Sequence, residues 1–218
     1  MKKQTIINEV VKIFWIFIIG SIIGWIFETI VVILQKGYFE VRQGLVYGPF
    51  IPVYGIGGIM YYIAFKLIRT RSPIKVFFIA LVLGGVTEYI CSYLQEAIFG
   101  SISWDYSNLP FNFNGRTSLL HCTYWGIAGI MYISWIEPLL CAIENIMQDV
   151  SLKIITILLA IFILFDVTVS WMAIARQKNR FLGEKPKNII EIFLDKYYPD
   201  DFIDIIFSNK KNKLQIQQ

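Results

Sequence analysis

The nine residues Gly20–Glu28, GSIIGWIFE, constrain this chain most, because an apolar run ends there in a carboxylate. The run around them, Val11 to Gln35, is long enough to cross a bilayer, which takes about 20 apolar residues as a helix. A charge near the centre of such a helix costs about 2.5–3.5 kcal/mol or more. The pattern recurs. Gly24 and Glu28 return sixty positions later as Gly84 and Glu88 in ALVLGGVTE, and a looser copy, FILFDVTVS, carries Asp166. Acids at that depth have to face protein or water. The chain is therefore expected to fold as a helical membrane bundle whose interior carries polar points.

Composition supports this class. The chain is 56% hydrophobic and only 17% charged, with mean hydropathy +0.58, whereas a soluble domain has about a quarter of its residues charged. The net charge of +4 is spread over links and tail, and no basic face suits nucleic acid. Cys91, Cys122 and Cys141 form no Cys-x-x-Cys pair and read as buried reduced thiols. One histidine excludes a multi-histidine metal site. No metal or other cofactor is expected. Lys2 and Lys3 precede an apolar run too long for a signal peptide and lacking a small-residue cleavage site, so it reads as a retained first span.

Five spans are expected, at about 11–35, up to 67, 74–98, 118–136 and 152–175. The fold class is all-α, a multi-pass protein of the cell membrane. Residues 1–176 form the transmembrane domain, and 177–218 form a charged tail with two short amphipathic pieces. Pro49 and Pro52 make GLVYGPFIPVYGIGG irregular, either as a cap on the bundle or as a broken start to the second span. Pro138 closes the fourth span, and 139–150 read as an interfacial helix with Glu144 and Asp149 on its polar side. YGIGGIMYY at 54–62 resembles WGIAGIMYI at 125–133. The chain thus reads as a tandem helical hairpin plus a fifth helix, a plan common among transporters. Glu28, Glu88 and Asp166 would then reach one depth from spans of one orientation. The basic link 66–75 argues for a cytoplasmic position. Five spans then put the basic stretch Arg176–Lys187 outside, unless 137–150 re-enters the membrane.

Small residues stand at i−4 and i−8 from both glutamates, Gly24 and Gly20 before Glu28, and Gly84 and Ala80 before Glu88. Helices approach closely along such stripes, so both acids should face the interior. There they would serve as a proton, cation or substrate site, or as structural carboxyls that pin packing. Loop 99–117 brings Asp105, Asn112 and Arg116 together with Trp104 and Tyr106. An Asp105–Arg116 pair could fix it as a lid or hold an anionic head group. Its residues serve equally well as turn formers. His121 reads as a satisfied polar group, and Tyr47, Tyr54, Tyr61 and Tyr62 as cavity lining or interfacial anchors.

The segments GWIFE, GLVYGPFIPVYGIG and WDYSNLPFNFNGRTSLLHCTYWG resemble a bacterial membrane-protein family, the putative ABC-transporter type IV or CmpB-like family, over roughly 15–175. The motif residues present are Trp104, Asp105, Tyr106, Ser107, Pro110, Asn112, Gly115 and Arg116. The resemblance implies a permease. This chain has no G-x-x-x-x-G-K-[ST] phosphate loop, so ATP-driven work would need a separate ATPase. Its residues point first to a small polytopic transport protein in which Glu28, Glu88, Asp166, Asp105, Arg116, Asn112 and Tyr54 line the site. The lipid bilayer surrounds it, and so few spans call for a second copy or a partner membrane subunit. An intramembrane enzyme acting on a lipid or isoprenoid, and a non-catalytic assembly protein, are the alternatives. No nucleophile–base pair or multi-ligand metal motif marks an enzyme.

Overall fold

A computed structural model describes residues 2–143 and 150–212. Helix α1 spans Lys2–Lys36, α2 Pro52–Ile68, α3 Pro73–Phe99, α4 Leu119–Met131, α5 Glu137–Ile143 and α6 Val150–Phe181. The tail adds α7, Ile189–Tyr197, and α8, Asp200–Ile206. Four two-residue strands pair as β1, Ser101–Ile102, with β4, Lys211–Asn212, and as β2, Asn112–Phe113, with β3, Thr117–Ser118, both antiparallel.

Among the described residues, four helices are long and apolar enough to cross a membrane: Ile6–Lys36, Pro73–Phe99, Leu119–Cys141 and Leu152–Phe181. They leave many large apolar side chains on the outside, among them Ile26, Ile30, Val82, Leu158 and Leu164. Lipid is the partner such faces require. Helix α2 has 17 residues, about 25 Å of helix, against a hydrocarbon core of about 30 Å. The link before it explains the difference. Residues 44–51 are not helical, and Pro52 occupies the first turn of α2, where a missing N–H costs nothing. The link folds back into the bundle instead. Ile51 donates its N–H to the Ser21 carbonyl of α1 at 3.2 Å. Irregular backbone at such depth needs protein partners, and α6 supplies two: Val46 N–H donates to Ser170 Oγ at 2.8 Å, and Tyr47 N–H to Asp166 Oδ1 at 3.0 Å.

The fourth helix departs from the sequence expectation at Pro138. Helical structure continues past it, because Tyr132–Ile136 form a turn of π-helix before α5 begins. The wider turn accommodates a residue with no N–H and a ring that crowds the preceding turn. Residues 137–143 therefore prolong the span. Glu144 and Asp149 lie outside the described residues. The cysteines also differ from a uniformly buried set: Cys122 is buried, Cys91 half-buried and Cys141 exposed.

The helices form two antiparallel pairs. In α1–α2, a Cβ at Gly24 would overlap the Tyr54 ring, one at Gly55 would meet Phe17, and one at Gly58 would touch Ile16. In α3–α4, a Cβ at Gly84 would overlap Trp125, one at Gly126 would meet Phe77, and one at Gly129 would strike Ala80. Small residues thus set both crossings. A buried cluster of Ile16, Tyr61, Phe65, Val76, Trp125 and Leu140 joins the pairs. Helix α6 lies against α1 through Trp15 Nε1–H donating to Thr156 Oγ1 at 3.0 Å, and through Ile18 and Ile163.

The tail docks at the end of the bundle where α1 and α3 finish. Gln43 N–H donates to the Ile206 carbonyl at 3.2 Å, Arg42 bridges to Phe207, and β4 pairs with β1 just after α3. The tail therefore lies opposite the 66–75 link, and the two basic segments occupy different ends. Much of the tail's positive charge is answered locally. Arg176 and Arg180 both pair with Asp195, at 2.8 and 2.7 Å, and Arg180 also with Asp200 at 2.6 Å.

Candidate functional site

Glu88 sits on α3, four residues after Gly84, and is 6% exposed. Burial of a carboxylate demands donors, and the loop after α3 provides them. Thr117 Oγ1–H donates to Oε2 at 2.6 Å, and Tyr106 O–H donates to Oε1 at 3.1 Å. The Trp125 side chain of α4 stands beside it. Burial and the nearby Glu88 charge hold the Tyr106 hydroxyl well above the usual phenol range, so it remains a donor.

Glu28 occupies the matching place on α1. Its side chain keeps 28% exposure. Tyr54 O–H, from the first turn of α2, donates to Oε1 at 2.7 Å, and Arg42 Nη1 lies 3.6 Å from Oε2. The Tyr54 and Trp125 rings are 5.3 Å apart, so the two acids' aromatic partners touch. The structure thus forms a polar cluster in two halves at the end of the bundle that carries the long loop, Glu28 with Tyr54 and Glu88 with Tyr106 and Thr117, joined through the Tyr54–Trp125 contact.

Asp166 is held elsewhere. It is fully buried, and its Oδ1 accepts from Tyr47 N–H and from Ser170 Oγ–H at 3.2 Å. It secures the re-entering link and shares no hydrogen-bond partner with the two glutamates. Its Oδ2 has no partner among the described residues.

The loop is a folded cap. Trp104 Nε1–H donates to the Arg116 carbonyl at 2.8 Å, and Tyr106 N–H to the Gly115 carbonyl at 2.8 Å. Asn112 fastens three points: its amide donates to the Ser107 and Leu109 carbonyls, and its Oδ1 accepts from Gly115 N–H. Asp105 Oδ1 accepts from Ser107 N–H at 3.0 Å, a side-chain turn of the kind Asp favours. Gly115 has φ +69 and rests against Asp105, so a side chain there would meet both strain and a clash. His121 stacks on Tyr106 with ring centroids 3.6 Å apart, and its Nδ1 bonds Ser118 Oγ at 2.8 Å.

Arg116 does not pair with Asp105 as the sequence suggested. Its Nη2 reaches Glu96 Oε2 at 2.5 Å, and its guanidinium lies over Tyr89 and Tyr93. Asp105 accepts within its own turn, while Arg116 reaches back along α3 to Glu96. Four participants escaped the sequence reading: Glu96, Thr117, Arg42 and the Glu88-facing role of Tyr106. Glu96 stands two helical turns after Glu88, on the same face, which is the one signal that could have found it. Among the described residues no group of three His, Cys, Asp or Glu is placed to hold a metal ion.

The profile of the putative ABC-transporter type IV family matches residues 15–171, and the chain belongs to that family. The match takes in every element of the polar cluster and stops short of α7 and α8. No curated protein and no solved structure matches the chain.

Proposed function

We propose that this chain is the membrane-embedded part of a transporter in the plasma membrane, a permease or permease-like component, and that Glu28 and Glu88 form its proton, cation or substrate site. The observation that carries this reading is the pair itself: two carboxylates from different helices of an apolar bundle, with Tyr54, the donor to Glu28, in ring contact with Trp125 beside Glu88. Intramembrane acids are costly and are retained chiefly where ions or protons pass. Tyr54 and Tyr106 complete the site as donors. Asn112, Asp105 and Arg116 act one step removed, by holding the cap that carries Tyr106 and Thr117. Asp166 serves the link that carries Arg42 and leads into Tyr54.

The same reading takes the two hairpins as an internal repeat. Tyr54 lies on Gly24 as Trp125 lies on Gly84, and Phe17 on Gly55 as Phe77 on Gly126. Each acid then stands one turn beyond its glycine, beside its hairpin's aromatic partner. ATP-driven transport would use a separate ATPase, and a second membrane subunit or copy would cover the apolar outer face of α6.

Reconstitution tests the proposal. Purified chain in liposomes that enclose proton- and alkali-cation-sensitive dyes should pass at least one of these cations when a diffusion potential is imposed. Glu28→Gln and Glu88→Gln should each remove most of that flux. Flux equal to that of empty liposomes, or unchanged in both variants, would overturn it.

A further inference from the structure

The opposite end of the bundle carries a second polar site, independent of the carboxylate pair. A cavity of about 340 Å³ opens between the start of α1, the end of α2 and the junction of α4 with α5. Four cations line it, Lys12, Lys66, Arg69 and Arg71, against the two carboxylates Glu9 and Glu137. Both carboxylates are engaged. Lys66 Nζ and Tyr62 O–H donate to Glu9 at 2.8 and 2.6 Å, and Arg71 pairs with Glu137. Arg69 is a further cation on the walls and has no acid partner among the described residues.

The second observation is a buried hydroxyl. Tyr132 is 5% exposed and lines the same cavity, and its O–H has no partner among the described residues. A buried donor left unmatched is costly, and such exceptions call for a missing partner. Tyr132 also opens the π-helical turn, an irregularity that often marks function. Arg69 holds φ +55 at the end of α2, a left-handed position that glycine usually fills. Its backbone conformation gives no reason for an arginine, whereas an anion would.

We propose that this cavity binds a phosphate group, carried either by an anionic phospholipid head group or by a soluble phosphate. Phosphate oxygens accept from guanidinium, ammonium and hydroxyl alike. The cavity lies where the apolar helices end, at the level of lipid head groups, and basic pockets between helices there suit anionic lipids. Arg69 supplies charge, and Tyr132 donates its hydroxyl.

The test uses the full chain in detergent. Its melting temperature is followed as dioleoylphosphatidylglycerol, dioleoylphosphatidylcholine or inorganic phosphate is added at matched ionic strength. A rise with phosphatidylglycerol but not phosphatidylcholine assigns the lipid, and a rise with inorganic phosphate assigns the soluble anion. Arg69→Gln should weaken the response about fivefold. Tyr132→Phe should weaken it about tenfold without lowering the ligand-free melting temperature, because only the unpartnered hydroxyl is removed. No rise with either anion, or equal responses to both lipids and none to phosphate, would overturn the proposal. So would a response that both variants leave unchanged.

Discussion

In the α1–α2 hairpin, Gly24 makes room for Tyr54 and Tyr54 donates to Glu28; in the α3–α4 hairpin, Gly84 makes room for Trp125, beside Glu88. The helices meet in the same way and the covers differ. The strand-paired loop 100–118 seals Glu88 beneath Tyr106 and Thr117. The link over Glu28 is tied to α6 and to the tail, leaves the acid part-exposed, and offers it Arg42. Close helix approach fixes where each acid stands, and the connecting segment fixes how much water it sees. One acid is thereby enclosed and the other is open, the asymmetry a site needs if a cation is to enter from one side.

The largest expected effect separates the two covers. Glu88→Leu leaves the Tyr106 and Thr117 hydroxyls without their acceptor, at about 1–3 kcal/mol for each unmatched group. Glu28→Leu should cost less, because Glu28 itself and Arg42 stand nearer to solvent. Unfolding in mixed micelles, followed by circular dichroism, gives both values. Equal losses would erase the distinction between a closed and an open acid.

Next come the glycines. Gly84→Ala and Gly24→Ala should each destabilise by about 1–3 kcal/mol, through overpacking against Trp125 and Tyr54. Similar losses would strengthen the equivalence of the hairpins, and a loss at one alone would break it.

Thr117→Val should cost about 1–2 kcal/mol, because it removes one donor to Glu88 and keeps the shape. The same change at Thr123, whose hydroxyl donates to the Leu120 carbonyl of its own helix, should be near neutral in the same unfolding measurement.

The smallest effect concerns pH and the first cover. Hydrogen bonds from Arg176, then from Arg180, hold the Asp195 carboxyl below its usual range. A depressed folded pKa contributes stability that is present above the unfolded value, about 3.9, and is lost as pH falls through the folded value. Tail docking should therefore weaken only in acid, below about pH 4. Amide hydrogen exchange should then rise in 189–206 and in 42–47 and stay constant in 104–118. A parallel rise in the second loop would mean that the covers are not independent.

Much of this architecture is legible in the sequence, because apolar runs, helix-breaking prolines and small-residue stripes act locally. The spans and the inward position of Glu88 follow from them. Pro138 misleads, since a π turn absorbs a residue that usually ends a helix. Arg116 misleads because its partner is chosen by how the loop folds back, which brings it to Glu96 on α3. Asp166 looks like a third copy of the acid motif, yet the link at 46–47 claims it, a long-range pairing that no spacing rule encodes.

The central claim is that one acid from each hairpin forms a single site. A double-mutant cycle in the liposome flux assay tests it most directly, using Glu28→Gln, Glu88→Gln and the double variant. Residues that act as a unit are strongly non-additive. Each single variant should lose most of the flux, and the double variant should lose no more than either. Losses that multiply, or full flux in one single variant, would show two separate carboxylates and contradict the shared site.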